Sequence, residues 1–341
     1  MKKFFLSNLI IAALVVSAVF TSCKKKGNGG NDDNDGDEPQ KGTYVYVAGT
    51  ERNAQNVLVA KVWINGEATE LSDGTKGTVA VNVFVHGDDV YVTGYEQITN
   101  EDGGIIGRIP KFWKNGVLQN LSDEHGTPMY FNSVFVDGGN VYVAGSAGTA
   151  DEYFAILWKN GVAKKLINTS NLNKNDIAYS VYETNGDVYI ACWRGLWKNE
   201  EIISDIGDFC IFVENNDWYT FGGINCRKNG TVVHEINESA YTEREMYSLY
   251  VSGGNVYLTR GKTNSGGRYV ATIWKNGESQ ELSDGSTDAY ATSVYVHGDD
   301  VYVAGHDRNP ATVMLWTNGI PVAITDGTRN AGAYSVFVVE R

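Results

Sequence analysis

The chain has 341 residues, of which 42% are hydrophobic, so it is long enough to bury a substantial core. Its 39 glycines and 20 tyrosines, against only 5 prolines, are typical of many short strands joined by tight turns. The formal charge of −13 argues against a nucleic-acid partner, because phosphate binding requires concentrated lysine and arginine. The same charge is also ordinary for a soluble extracellular surface.

The first 22 residues have the layout of a secretory signal peptide. Lys2 and Lys3 form a basic start, an apolar run extends from Phe4 to Phe20, and small residues precede Cys23. The apolar run is near the lower length limit for crossing a bilayer, and a polar tract follows at once. This pattern favours a cleaved signal over a membrane anchor.

The residues Phe20-Thr21-Ser22-Cys23 resemble the lipobox of bacterial lipoproteins. Phe20 stands where that family usually has Leu, and Ser22 where Gly or Ala is commoner. The resemblance implies that residues 1–22 are removed and that Cys23 becomes a lipidated, palmitate-bearing N-terminus. The protein would then be anchored in the bacterial outer membrane, facing the periplasm or the cell surface. The alternative is an ordinary cleaved signal with an unmodified cysteine.

The tract 24–41 contains no aromatic or aliphatic residue and cannot contribute to a core. We therefore predict a lipidated cysteine and disordered tether over residues 23–41, and a folded domain over residues 42–341. The acidic run Asp32–Glu38 is interpreted as solvation or as part of a surface-export signal.

The stretch Ser133–Leu166 shows the repeating unit of the folded domain. It contains four short apolar runs, with Gly138-Gly139 and Asn160-Gly161 between the first and second and between the third and fourth. Such two-residue links are strong hairpin signals, because a type I′ turn needs two residues with positive φ. The unit is therefore predicted to be a four-stranded antiparallel meander.

The unit recurs along the chain, and its strands are out of phase at the two ends. The second strand has seven copies, with their tyrosines at Tyr46, Tyr91, Tyr142, Tyr189, Tyr219, Tyr257 and Tyr302. The first strand also has seven copies, beginning at Asn82, Ser133, Ser180, Cys210, Ser248, Ser293 and Ser335. The folded part of the chain thus begins with a second strand and ends with a first strand.

This offset is what closure of a ring requires. If Ser335–Val338 pairs with Thr43–Gly49, the last strand completes the blade that the N-terminus began and removes an exposed sheet edge. The pattern resembles seven-bladed β-propellers from about Gly42 onward. We predict an all-β, seven-bladed β-propeller of four-stranded blades with essentially no helix.

Several recurring residues are predicted to be structural. Tryptophan recurs before the Asn-Gly turn of the third strand and indicates packing between blades. His86 and His297 stand at hairpin turns, without the spacing of a metal site, so no metal or cofactor is predicted. The Asp-Gly pairs after fourth strands indicate blade-to-blade turns. Two interpretations stay open for the cysteines Cys192, Cys210 and Cys226: one disulfide, or three buried thiols.

In the predicted propeller, the tight turns between first and second strands and between third and fourth strands lie on one face, the hairpin face. The second-to-third loops and the blade-to-blade crossovers lie on the opposite, loop-rich face, and this is where we expect a site. The distance along the chain from the strand tyrosine to the third-strand tryptophan is 14–22 residues in five copies and 8 in the fourth, and it is 7 in the fifth, where Cys226 replaces the tryptophan. The rim is therefore predicted to be low at blades four and five, and a notch beside tall loops suits a ligand. The candidate ligand-binding residues, which depart from the repeat or precede innermost strands, are Trp193, Arg194, Tyr179, Tyr241, Glu243, Arg244, Tyr247 and Tyr334. The alternative is that the degenerate copies have lost the repeat pattern by sequence drift, and that these residues are ordinary loop residues without a ligand.

Three functions fit these features. The leading one is a lipid-anchored, monomeric binding protein that recognises a glycan or an extracellular or envelope protein through the loop-rich face. The second is a carbohydrate-active hydrolase or lyase, which needs two positioned carboxylates or a metal. The nearest candidate carboxylates to the predicted notch are Glu243, Glu245 and Asp176, and their spacing is not diagnostic of such an enzyme. A scaffold subunit of an envelope complex is the third. No catalytic residue is predicted.

Overall fold

The computed structural model describes residues 42–121, 127–149, 151–167, 175–236 and 248–341. In these residues thirty strands form seven four-stranded antiparallel sheets and one small two-stranded sheet, and no helix is present. Each sheet packs on the next through its innermost strand, and the last packs on the first, which closes a ring. The predicted seven-bladed β-propeller is confirmed. No helix in this part of the chain is long and apolar enough to cross a membrane.

The strands are numbered in chain order. Blades one and two contain β1 Thr43–Arg52, β2 Leu58–Ile64, β3 Glu67–Glu70, β4 Thr78–His86, β5 Asp89–Thr99, β6 Ile105–Lys114 and β7 Val117–Gln119. Blades three and four contain β8 Thr127–Asp137, β9 Asn140–Gly148, β10 Tyr153–Lys159, β11 Val162–Lys165, β12 Ala178–Thr184, β13 Asp187–Cys192, β14 Gly195–Lys198 and β15 Glu201–Ser204.

The remaining blades follow the same plan. Blade five contains β16 Cys210–Glu214, β17 Asp217–Gly222, β18 Asn225–Lys228 and β19 Thr231–Glu235. Blade six contains β20 Ser248–Ser252, β21 Asn255–Thr259, an added hairpin of β22 Lys262–Thr263 and β23 Tyr269–Val270, then β24 Thr272–Lys275 and β25 Glu278–Glu281. Blade seven contains β26 Ala289–His297, β27 Asp300–Arg308, β28 Ala311–Thr317 and β29 Ile320–Ala323, and β30 Ala331–Glu340 ends the chain.

The ring closes through the C-terminal strand, as predicted. The strand order in blade one is β3-β2-β1-β30, so β30 is innermost. Val338 pairs with Val45 and Val336 with Val47, in antiparallel register that extends over most of both strands. Because β30 pairs with the first strand of the chain, neither terminus of the folded part leaves an unpaired innermost edge.

The core lies between the blades. All six repeat tryptophans are buried, and Trp63 belongs to the same core cluster as Tyr302 and Ala304 of the neighbouring blade. The indole of Trp316 donates a hydrogen bond of 2.9 Å to the carbonyl of Leu282, at the end of blade six. The tryptophans therefore join neighbouring blades, as the sequence predicted.

The Asn-Gly turns lock the two hairpins of each blade together. Asn160 adopts φ 52°, and its Oδ1 accepts a 2.8 Å hydrogen bond from the amide of Val141. The equivalent bond occurs in every blade. The lysine before this asparagine bonds within the same turn region, as Lys114 does to Asp89 at 2.8 Å. The recurrent Lys-Asn-Gly is thus turn chemistry.

The Asp-Gly pairs form the predicted blade-to-blade turns. The Oδ1 atoms of Asp73, Asp284 and Asp326 each accept a hydrogen bond from the amide two residues ahead, at 2.9–3.0 Å. This is the Asx-turn geometry that aspartate favours. The similar Asp123 lies outside the described residues.

Candidate functional site

The central channel carries a closed ring of aromatic side chains near the hairpin end of the innermost strands. Neighbouring ring centroids are 4.5–4.8 Å apart all the way around, with interplanar angles of 46–54°. The members, one per blade, are Phe337, Phe84, Phe135, Tyr182, Phe212, Tyr250 and Tyr295.

The angles show how these rings stand. Planes parallel to the channel axis differ by one seventh of a turn, about 51°, in a ring of seven blades, which is the range observed. If the rings lay edge to edge in the channel wall, they would overlap at these centroid separations. The rings therefore project toward the channel axis, and each turns its face toward its neighbours. Burial raises the pKa of Tyr182 to about 12, and the nearby Tyr295 adds to this effect. The channel is therefore narrowed at its hairpin end.

A belt of hydrogen bonds holds the innermost strands together beside this ring. The Oγ of Ser335 accepts the amide of Val83, at 3.2 Å, and the Oγ of Ser293 accepts the amide of Val336, at 3.1 Å. Asn82, Ser133 and Ser248 make the same bond to the next blade. The inner edge of each of these strands would otherwise carry a buried, unpaired N–H, so the recurrent serine is structural.

The other end of the channel opens into a cavity of about 1400 Å³. At one end, its wall includes the ring of seven aromatic side chains. At the other end, it includes residues of the innermost strands that stand three positions before those aromatic residues in the sequence. Among these, Tyr179 and Tyr334 were predicted at the channel mouth. Phe209 contacts Tyr179 edge-on, with centroids 5.0 Å apart. Burial raises the pKa of both tyrosines to about 12, so both phenols stay protonated at neutral pH and can donate hydrogen bonds.

The predicted low rim at blades four and five is present. The second-to-third connection is a two-residue turn at Trp193-Arg194 in blade four and at Gly223-Ile224 in blade five. In blade two, by contrast, β5 and β6 project as a long hairpin. Trp193 is 50% exposed and belongs to the cavity wall. The notch and the channel mouth are therefore one continuous opening.

Arg194 lies beside Trp193, with its Cζ 5.7 Å from the centroid of the indole. It does not belong to the described cavity wall, and its Nε donates a 3.1 Å hydrogen bond to the carbonyl of Asn175. Its amide donates to Oδ1 of Asp176, at 3.2 Å. Arg194 thus fixes the turn that presents Trp193. Four further predicted residues, Tyr241, Glu243, Arg244 and Tyr247, lie outside the described residues, as does Cys23.

Two buried carboxylates flank the Trp193 turn without reaching the cavity wall. Burial raises the pKa of Asp176, whose Oδ1 accepts the amides of Ile177 and Arg194. Burial likewise raises the pKa of Asp208, which is paired with Arg227 at 2.8 Å. Both carboxylates are engaged by the fold. Among the described residues, no aspartate or glutamate belongs to the cavity wall.

Arg108 is a wall residue that sequence reasoning missed. It lies on β6 in the long hairpin of blade two, with its Cζ 4.4 Å from the ring centroid of Tyr95 and 6.0 Å from that of Tyr130. Its charge also lowers the pKa of Tyr334, against the larger effect of burial. The signal in the sequence was the unusually long connection of the second copy, which we interpreted only as loop height.

The histidines and cysteines form no metal site in the described part of the chain, where no group of three ligand residues occurs. His86 is exposed, and Nε2 of His297 lies 3.4 Å from Glu340. The three cysteines are free and buried, so the thiol interpretation holds over the disulfide. Burial raises the pKa of each thiol, which makes these groups inert apolar side chains.

No family model and no curated protein matches this chain. A mutant of Trypanosoma rangeli sialidase displaying trans-sialidase activity is similar to it in structure, with 11% identity, 86% of this chain and 54% of that chain covered, and a TM-score of 0.40. The chain thus spans about half the length of that sialidase.

Two other solved structures give similar values. A GH43_1 enzyme from Xanthomonas citri has 11% identity, with 79% of this chain and 88% of its own covered and a TM-score of 0.37. An α-L-arabinofuranosidase from Clostridium thermocellum has 10% identity, with 69% and 89% covered and a TM-score of 0.37. At such identities and scores, the likeness is to the overall fold, and no activity is carried over from these proteins.

Proposed function

We propose that this protein binds a glycan, whose end enters the channel cavity from the loop-rich face. The observation that carries the proposal is the cavity itself. It is narrowed at one end by seven aromatic side chains, opens beside the exposed indole of Trp193, and has no carboxylate in its described wall.

The wall suits a sugar in two ways. Sugars carry apolar C–H faces that stack on aromatic rings, and Trp193, Tyr179 and Tyr334 supply such rings around the opening. Sugars also carry hydroxyl groups, and the phenols of the two tyrosines are protonated donors there. Concave sites with mostly apolar walls and a few polar groups are the usual form of a small-ligand site.

Hydrolysis finds less support. Glycoside hydrolases use two carboxylates on either side of the scissile bond, and the nearest described candidates, Asp176 and Asp208, are held by backbone amides and by Arg227. A scaffold role would use the hairpin face, at the end of the channel away from the opening beside Trp193. Binding is therefore the function that we put forward.

The membrane anchor is a separate part of the proposal. The lipobox-like residues Phe20–Cys23 support lipidation of Cys23 and attachment to the outer membrane. Replacing Cys23 with Ser should move the protein from the membrane to the soluble fraction. If the variant stays with membranes after cell fractionation, the anchor is not at this cysteine.

The binding proposal is tested by a glycan-array and polysaccharide pull-down screen of the purified protein. We expect at least one glycan to bind, and Trp193→Ala to weaken that binding about tenfold or more, because an exposed aromatic stacking partner is lost. Ile320→Ala is the matched control, since Ile320 is 68% exposed but lies on an outer strand away from the cavity. Equal binding by both variants would contradict the proposed site.

A further inference from the structure

We infer that the bound glycan carries a carboxylate and that Arg108 recognises it. This inference rests on the proposed function and names its ligand class more narrowly. It comes from the way the structure holds one cation at the mouth of an otherwise uncharged cavity.

The guanidinium of Arg108 is positioned by aromatic rings. Its Cζ lies 4.4 Å from the centroid of Tyr95, on β5, and 6.0 Å from that of Tyr130, on β8 of the next blade. Contact with a ring face leaves the N–H groups, which point outward in the guanidinium plane, available to other acceptors. The two tyrosines therefore fix the position of the cation without using its donors.

No described group neutralises this cation. The nearest carboxylate on β5, Glu96, is instead paired with Lys76 at 3.0 Å and with Lys111 at 2.9 Å. Among the described residues, the side chain of Arg108 has no carboxylate within 4.0 Å and donates no hydrogen bond. It is also the one formally charged residue in the described cavity wall.

These features match a carboxylate better than a cationic or neutral group. A guanidinium presents paired donors that fit the two oxygens of a carboxylate, and such charge-assisted bonds are stronger than neutral ones. Tyr334, whose pKa responds to Arg108, provides a phenol donor close by. The chain itself is strongly acidic, with a formal charge of −13, so an anionic ligand needs a local cation of this kind.

The test compares acidic oligosaccharides with their neutral counterparts. Tetrasaccharides of galacturonate, mannuronate and hyaluronan, and the methyl ester of each, are titrated by calorimetry into the intact protein. A sulfated but uncarboxylated tetrasaccharide separates carboxylate recognition from general attraction to anions. We expect at least one acid to bind, with its ester and the sulfated probe ten- to a hundredfold weaker, the range for hydrogen bonds to charged groups.

The variants assign the effect to a residue. Arg108→Gln should bind the acid and its ester equally weakly, and Arg108→Lys should recover only part of the preference because it keeps the charge without the paired donors. Arg308→Gln is the matched control, since Arg308 lies over the ring of Tyr290, at 5.4 Å, and outside the described wall. It should retain the full preference for the acid.

Two outcomes would overturn the inference, and they are distinguishable. If glycans bind and Trp193→Ala weakens them, but esters or the sulfated probe bind as well as acids or Arg108→Gln keeps the preference, the proposed function stands and the carboxylate assignment is wrong. If no acidic or neutral glycan binds, both are wrong.

Discussion

The two ends of the channel are built on different plans. At the hairpin end each blade contributes one aromatic side chain at the same position, and every neighbouring pair has nearly the same separation. At the loop end the equivalent residues differ from blade to blade, and the connections range from the two-residue turn at Trp193-Arg194 to the long hairpin of β5 and β6. Regularity therefore coincides with packing and irregularity with an open, chemically varied cavity, as expected when function resides on loops carried by a rigid scaffold.

The largest effect should come from breaking the ring itself. Deleting Ser335–Arg341 removes most of β30, and with it Phe337 from the aromatic ring and Ser335 from the hydrogen-bond belt. Blade one then exposes the edge of β1, so the protein should aggregate. Size-exclusion chromatography and thermal unfolding measure this. A soluble deletion variant with cooperative unfolding would contradict the closure of the ring.

The next largest effect should separate the two ends directly. Phe84→Ala removes a ring in contact with both Phe135 and Phe337 and should lower the free energy of unfolding by about 3–4 kcal/mol. Trp193→Ala, at a half-exposed side chain, should change it by less than about 1 kcal/mol while weakening glycan binding. Denaturant unfolding of the two variants gives both values. Similar losses in both would mean that the two ends do not differ in this way.

A pH-dependent contribution should come from the loop end. Burial lowers the pKa of His306, which packs between Tyr290 and Tyr334, to about 4 from 6.5. The unfolded chain binds a proton at a higher pH than the folded one, so the free energy of unfolding should decrease by about 2–3 kcal/mol as the pH falls from about 6.5 to about 4. The contribution is complete above that window. His306→Phe should flatten this part of the stability profile, and an unchanged slope would show that His306 titrates normally.

The smallest effect should come from single bonds of the belt. Ser293→Ala leaves the amide of Val336 without its acceptor and should cost about 1–2 kcal/mol. Ser293→Cys should cost less, because Cys210 occupies the equivalent position in blade five and accepts the amide of Leu249. Equal losses for the two variants in denaturant unfolding would show that the loss comes from packing and not from the hydrogen bond.

The architecture could be predicted from the sequence because its signals are local. Each Asn-Gly turn encodes a hairpin with its own backbone chemistry, and the seven-fold recurrence leaves few alternatives to a ring. The out-of-phase ends predict the pairing of β30 with β1, which the structure contains. The seven aromatic side chains and the serines recur at fixed positions of the repeat. Their contacts run between blades, so the sequence pattern alone did not predict them.

The site could be predicted only in part, for the same reason. Trp193, Tyr179 and Tyr334 were selected because they stand at loop positions, and all three belong to the cavity wall. Arg108 was missed because its partners, Tyr95 and Tyr130, come from different strands in two blades. Arg194 was chosen as a guanidinium beside the Trp193 indole, and it does lie over that ring, but its Nε also bonds to the carbonyl of Asn175, a contact that the sequence did not show. These roles depend on contacts between residues of different blades, and a single sequence does not show which of those residues meet.

The most direct test of a binding site at the loop end is backbone hydrogen exchange, measured by mass spectrometry with and without a bound oligosaccharide. Our account predicts slower exchange in Asn175–Gly195 and Tyr95–Arg108, which border the cavity, and unchanged exchange at the hairpin turns Gly87-Asp88 and Gly138-Gly139. Slower exchange confined to those hairpin turns or to the outer strands would place the ligand elsewhere and contradict the account.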